Sequence, residues 1–193
     1  MKKVGIVAAA IACVLLLCVG FYNLKNHSGT GEDAKDMTTV QRIDAKNLEQ
    51  DYPKTPRAVL KLYNEIITSY YEEKYTEEEF DKLIDQARIL FDQELADNNP
   101  KEDYKTAVQE SIANYSGRNF KIRQTDVCDS SDVKYLTDDK NGDELAYVTA
   151  SYFTEENKKF DKTYQMYVLR KDAEGKWKIL TFYKVEGNST EDE

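Results

Sequence analysis

The spacing of apolar residues follows two periods, and the change from one to the other divides the chain. At Thr55-Pro56 a capping residue and a proline at the first helical position lead into Val59, Leu60, Tyr63, Ile66, Ile67, Tyr70 and Tyr71, which share one side of a 3.6-residue repeat. This spacing predicts a helix from Pro56 to about Lys74. Thr76 followed three residues later by Glu79 forms a capping box. Phe80, Leu83, Ile84, Ala87, Phe91 and Leu95 then continue the helical period and predict a second helix. Asn98-Asn99-Pro100 interrupts it. Tyr104, Ala107, Val108, Ser111, Ile112 and Tyr115 predict a third helix that stops before Gly117.

Past Gly117 the period becomes 2. Phe120 and Ile122 alternate with Lys121 and Arg123, while Val133 to Leu136 and Leu145 to Phe153 flank Asn141-Gly142. That dipeptide predicts a two-residue hairpin turn, since both of its positions tolerate positive φ. Tyr164 to Leu169 and Trp177 to Tyr183 predict two more strands, joined through Asp172-Ala173-Glu174-Gly175. Helices followed by consecutive antiparallel strands predict an α+β fold, with three helices on one face of a curved sheet of four to five strands. No internal repeat of 20 to 50 residues is present.

Ahead of this domain, Val4 to Tyr22 is free of charge and long enough to cross a bilayer as a helix. Lys2 and Lys3 precede it, and Glu32 and Asp33 follow soon after Lys25, so the positive flank predicts a cytoplasmic N-terminus. An uncleaved single-pass anchor is the reading preferred over two others. A cleavage site at Ala8 to Ala10 or Ala10 to Ala12 leaves too short an apolar stretch ahead of it, and the apolar run continues through Leu17. For lipidation, Cys18 follows the bulky Leu17, and Cys13, which follows Ala12, has only Val4 to Ala9 before it. The organisation expected is residues 1 to 22 as cytoplasmic start and anchor, 23 to 53 as a flexible stalk, 54 to 187 as the extracytoplasmic α+β domain, and 188 to 193 as an acidic tail. Within the stalk, Val40, Ile43 and Leu48 suit a short helix.

The order of elements from Pro53 to Glu186 resembles the cone-shaped nuclear transport factor 2-like, or cystatin-like, superfamily. Its members lay a long N-terminal helix and shorter helices against a curved sheet. With the anchor, the chain also resembles membrane-anchored proteins of this fold from Clostridia and related Gram-positive bacteria. The resemblance implies architecture and location and carries no assigned activity. It also implies where an enzyme of this fold would keep its residues, on the concave face of the sheet, which points to the strand tyrosines Tyr147, Tyr164, Tyr167 and Tyr183.

Composition narrows the chemistry. The 193 residues carry a net charge of −9, and because the first 27 hold three lysines and no acid, the rest carries −12. Nucleic acid is excluded as a partner, since phosphate binding needs a basic footprint. The one histidine, His27, falls in the stalk, so neither a catalytic histidine nor a histidine metal site is available. Cys128 is the one cysteine beyond the anchor, which rules out a disulfide within the domain. It is expected as a small apolar side chain. Thr137 to Gly142 partly matches a calcium loop, but Thr137 and Val148 stand where its first and last ligands belong. The acids Asp126, Asp129 and Asp132, and the pairs Glu77–Glu79 and Glu155-Glu156, read as solvated loops, caps and turns. No metal, cofactor or catalytic residue is indicated, and the P-loop, dinucleotide and nucleophile-elbow motifs are absent. The function expected is a membrane-anchored extracytoplasmic binding or interaction module for a protein, peptide or cell-wall ligand. The alternative is a small-pocket enzyme of isomerase or dehydratase type, using a strand tyrosine and a carboxylate.

Overall fold

The structure, a computed structural model, describes residues 37 to 186 apart from residue 73. Among the described residues five α-helices precede five strands: α1 (Thr39–Asp44), α2 (Pro56–Glu72), α3 (Glu77–Ile89), α4 (Gln93–Asn98), α5 (Lys101–Ser116), β1 (Lys121–Val127), β2 (Lys134–Thr137), β3 (Glu144–Glu156), β4 (Lys159–Lys171) and β5 (Trp177–Val185), with a short 3-10 turn at Ser130–Asp132 between β1 and β2. The fold class is α+β, with an open antiparallel sheet. The anchor segment Val4 to Tyr22, His27 and the tail from residue 188 lie outside the described residues. Among the described residues no helix is long and apolar enough to cross a membrane.

The helices begin where the capping chemistry puts them. The amide of Ala58 donates to Thr55 Oγ1 at 3.1 Å, and in the capping box Glu79 N donates to Thr76 Oγ1 while Thr76 N donates to Glu79 Oε2. Each such cap contributes on the order of 1 kcal/mol. Helix α2 is buried along its length by Val59, Leu60, Tyr63, Ile66, Ile67 and Tyr70, and so forms the axis of the core.

The second helix is shorter than its apolar period. It stops at Ile89; Phe91 leaves the helix and forms an isolated bridge with Ile179, where Ile179 N donates to Leu90 O and Asp92 N to Ile179 O, each at 2.8 Å. Packing outweighs propensity here. Phe91 sits edge-on to the rings of Tyr63 and Tyr104, and Asp92 starts α4 by accepting from Glu94 N. The expected stalk also needs correction, because from Thr38 onward it is folded. A capping box between Thr38 and Gln41 opens α1, Val40, Ile43, Leu48 and Tyr52 are buried, and the Tyr52 hydroxyl donates to Trp177 O at 2.8 Å. Its apolar residues are sparse in sequence, yet α1 packs against both α2 and α3.

In the sheet, β3 is the central strand: β1 and β2 share one of its edges and β4 lies along the other, with β5 beyond. Strands β3 and β4 pair without interruption from Leu145 opposite Arg170 to Glu156 opposite Lys159. The two-residue turn is therefore Asn157-Lys158, both at positive φ (49° and 66°). Asn141-Gly142 lies instead in a six-residue loop between Thr137 and Glu144, where only Gly142 has positive φ. There Asp138 and Asn141 side chains accept from the amides of Lys140 and Asp143, which stabilises a wider turn.

Candidate functional site

One face of the sheet is packed against helices. Along β3 the buried residues are Ala146, Val148, Ala150, Tyr152 and Thr154, and along β4 Thr163, Gln165, Tyr167 and Leu169 alternate in the same way, the pattern of a half-covered sheet, with Val168 buried as well on the opposite face. The space between this face and α2 is occupied by aromatic rings joined through their polar ends. Tyr152 Oη donates to Asn64 Oδ1 at 2.9 Å, the hydroxyls of Tyr152 and Tyr167 are 2.9 Å apart, and Tyr167 Oη donates to Gln165 Oε1 at 2.9 Å. Tyr63 meets Tyr167 edge to face, and Phe182 stacks on it. Burial pushes the phenols of Tyr70 and Tyr104 well above the ordinary tyrosine range. This row of polar groups holds the core in one arrangement, since a buried hydroxyl left without a partner costs about 1–3 kcal/mol.

The four tyrosines expected to share a pocket do not share a face. Tyr167 points into the core. Tyr147 pairs with Val168, Tyr164 with Ser151 and Tyr183 with Met166, which puts all three on the opposite, open side. The spacing carries this signal, because positions 164 and 167 of an unbulged strand must face apart. The residues that do converge inside are Asn64, Tyr152, Gln165 and Tyr167. Asn64 carries no signal in the sequence because helical period marks only its apolar neighbours; Tyr152 is legible as a strand tyrosine beside the other four, but its partners, 88 and 15 residues away, are not.

The open face is the larger accessible feature. It carries Leu136, Phe153, Phe160 and Tyr183 as exposed side chains, with Tyr147, Tyr164 and Met166 half-buried between them. At one end, Tyr135, Leu136, Thr137, Glu144, Leu145 and Trp177 line a recess of about 130 Å³. Ligand sites for drug-sized molecules begin near 300 Å³, so this recess suits a side chain better than a metabolite. Beside it, Arg170 gathers Asp92 (2.5 Å), Asp143 (3.2 Å) and Glu94 (3.6 Å). The hydrogen bond to Asp92 raises the guanidinium above its ordinary range, so the charge is permanent. Arg170 thereby fixes the start of α4 and the β2–β3 loop to β4.

The acidic candidates serve local structure. Asp138 and Asn141 are used in the turn described above, Asp126 accepts from Gln124, and Asp129 lies 3.7 Å from Arg57. Among the described residues, no three His, Cys, Asp or Glu side chains are arranged to hold a metal ion. Cys128 is half-buried, and burial pushes its thiol upward, away from the reactive thiolate.

Residues 1–182 match the family described as a domain of unknown function (DUF6715), and the chain belongs to that family. No curated protein matches the chain.

Proposed function

We propose that this member of the DUF6715 family is a membrane-anchored, extracytoplasmic interaction module: residues 4 to 22 tether it, and the open face of its sheet receives a protein, peptide or cell-wall ligand. The observation that carries this reading is the contrast between the two faces. On the covered face Asn64, Tyr152, Gln165 and Tyr167 bond to one another, while on the open face Tyr183 is exposed and Tyr147 and Tyr164 are half-buried. Helices followed by an antiparallel sheet centred on β3 are also consistent with a nuclear transport factor 2-like cone. In such a cone the helix-side cavity would here be filled by Tyr63, Tyr152 and Tyr167. The enzymatic alternative loses support for the same reason, since its proton donor and pocket fall on different faces.

Two measurements test the proposal. In a cysteine-free background, Ser131→Cys in intact cells is expected to react with a membrane-impermeant maleimide, and the chain is expected to stay in carbonate-washed membranes. Labelling only after lysis would place the domain in the cytoplasm, and release by carbonate would remove the anchor. A photoreactive residue at Tyr183 is expected to capture a discrete neighbour in native membranes that one at Glu78, on α3, does not.

A further inference from the structure

The β3–β4 hairpin carries, at its far end, a patch unlike the rest of the molecule. Phe153 and Phe160 are exposed and stack on the open face with ring centroids 5.5 Å apart and planes 2° from parallel. Phe160, at 61%, is the most exposed large apolar side chain among the described residues. At this end of the sheet stand Arg118, Lys121, Arg123, Lys158, Lys159 and Lys162, with Glu155, Glu156, Asp161 and Glu186 as the acids; the register puts Lys121 and Lys162 on the same side as the pair, and Lys159, opposite Glu156, on the other. Two of those acids are neutralised, Glu155 by Arg123 and Glu156 by Arg118. Lys121, Lys158, Lys159 and Lys162 form no ion pair among the described residues, and Lys162 lies over the Tyr164 ring at 5.3 Å. In a chain of net charge −9, this is a local excess of positive charge at the same hairpin end as a bare aromatic pair.

We infer that the hairpin tip docks onto an anionic lipid surface, the phenyl rings entering the headgroup boundary and the lysines lying among the phosphates. The chemistry matches both layers of such a surface: aromatic rings settle at the boundary between headgroups and acyl chains, and lysines beside an anionic bilayer are attracted by its surface potential. The inference rests on the reading of residues 4 to 22 as the anchor, which brings a bilayer within range. Residues 23 to 36 can span at most about 50 Å at 3.3–3.6 Å each, and a 13-residue strand is about 43 Å long, so the tether allows either end of the hairpin to reach the membrane. Tip docking would hold the domain on its side, with the remainder of the open face turned along the membrane.

The test uses the full chain reconstituted in protein-free vesicles. Phe160→Trp in a Trp177→Phe background supplies a single reporter, and Phe153→Trp in the same background a second should the first misfold. With acyl chains brominated near the headgroup, phosphatidylglycerol vesicles are expected to quench the reporter at least two-fold, and phosphatidylcholine vesicles or 0.5 M salt to leave it unquenched. The triple reversal Lys158→Glu, Lys159→Glu, Lys162→Glu is expected to abolish quenching, since each lysine at such a surface contributes about five-fold in affinity. Absence of quenching in phosphatidylglycerol, or quenching that survives the triple reversal, would overturn the inference. Flotation in high salt with neutral vesicles reads the anchor alone. A chain that floats without quenching therefore refutes the docking tip and keeps the anchor, while a chain that does not float refutes the anchor.

Discussion

Neighbouring residues of β3 and β4 meet opposite fates. On the covered side, Tyr152, Gln165 and Tyr167 are enclosed and hydrogen-bonded; one residue along, Ser151, Tyr164 and Met166 face outward. The same residue type thus does two jobs within one strand. Buried tyrosine contributes ring area and a hydroxyl that must find a partner, while open-face tyrosine offers an amphipathic surface to something outside. The lesson is that tyrosine content says little about a site until side-chain parity is known. The covered face accounts for stability, and the proposed interaction falls to the open face.

The largest expected effect sharpens this division through pH. Tyr70 and Tyr104 are buried, and their phenols are raised mainly by desolvation. Their contribution is complete below the unfolded value near 10 and is lost as pH rises above it, because the unfolded chain releases those protons first. Each can remove up to about 1.4 kcal/mol per pH unit. Chemical denaturation at pH 9, 10, 11 and 12 is expected to show stability falling steeply above pH 10. A flat profile would mean that these rings are not enclosed.

Next comes truncation of the covered face itself. Tyr167→Ala removes a buried ring that contacts Tyr63 and Phe182, and breaks the row of hydroxyls; a loss of about 3–5 kcal/mol in urea unfolding is expected. Arg170→Met is smaller, at about 2–3 kcal/mol. It strands the buried Asp92, but Arg170 keeps a quarter of its side chain in water, which screens part of the pairing. Amide exchange is expected to rise first at Leu90 to Glu94, whose attachment to β5 and β4 the arginine secures.

Much of this architecture is legible in the sequence, for physical reasons that also explain the misses. Helix α2 and the capping box at Thr76 are local, so spacing and caps reveal them. Strands β3 to β5 show period 2 because one face is covered and the other is not. The break at Phe91 is invisible because a helical period records which residues are apolar, not which partner claims them, and Ile179 and Tyr104 claim Phe91 from outside the helix. The short helix that Val40, Ile43 and Leu48 suit is present as α1, but that residues 38 to 52 pack onto the domain is not legible locally, because Val40, Ile43, Leu48 and Tyr52 are held by α2, α3 and Trp177. The turn at Asn141-Gly142 does join β2 to β3, but within a six-residue loop, and the two-residue turn falls at Asn157-Lys158, which the uninterrupted pairing of β3 with β4 holds in the left-handed region. The site tyrosines divide for a simpler reason: strand membership does not set the face, and alternate positions of one strand point to opposite sides.

The smallest expected change in stability is the most informative about the open face. Tyr183 is 45% exposed on β5, opposite Met166, so Tyr183→Ser removes little buried area and only some strand propensity. Its unfolding free energy is expected to stay within about 0.5 kcal/mol of the parent. If the open face is a binding surface, the same substitution should still reduce photocapture from a reporter at Tyr164 several-fold, because an interface loses affinity when a central aromatic is removed even though the fold does not. A variant that folds as well as the parent and captures equally well would remove the open face from the reading. A variant that unfolds by several kcal/mol would show instead that Tyr183 belongs with Tyr167, and that the contrast between the two faces is drawn in the wrong place.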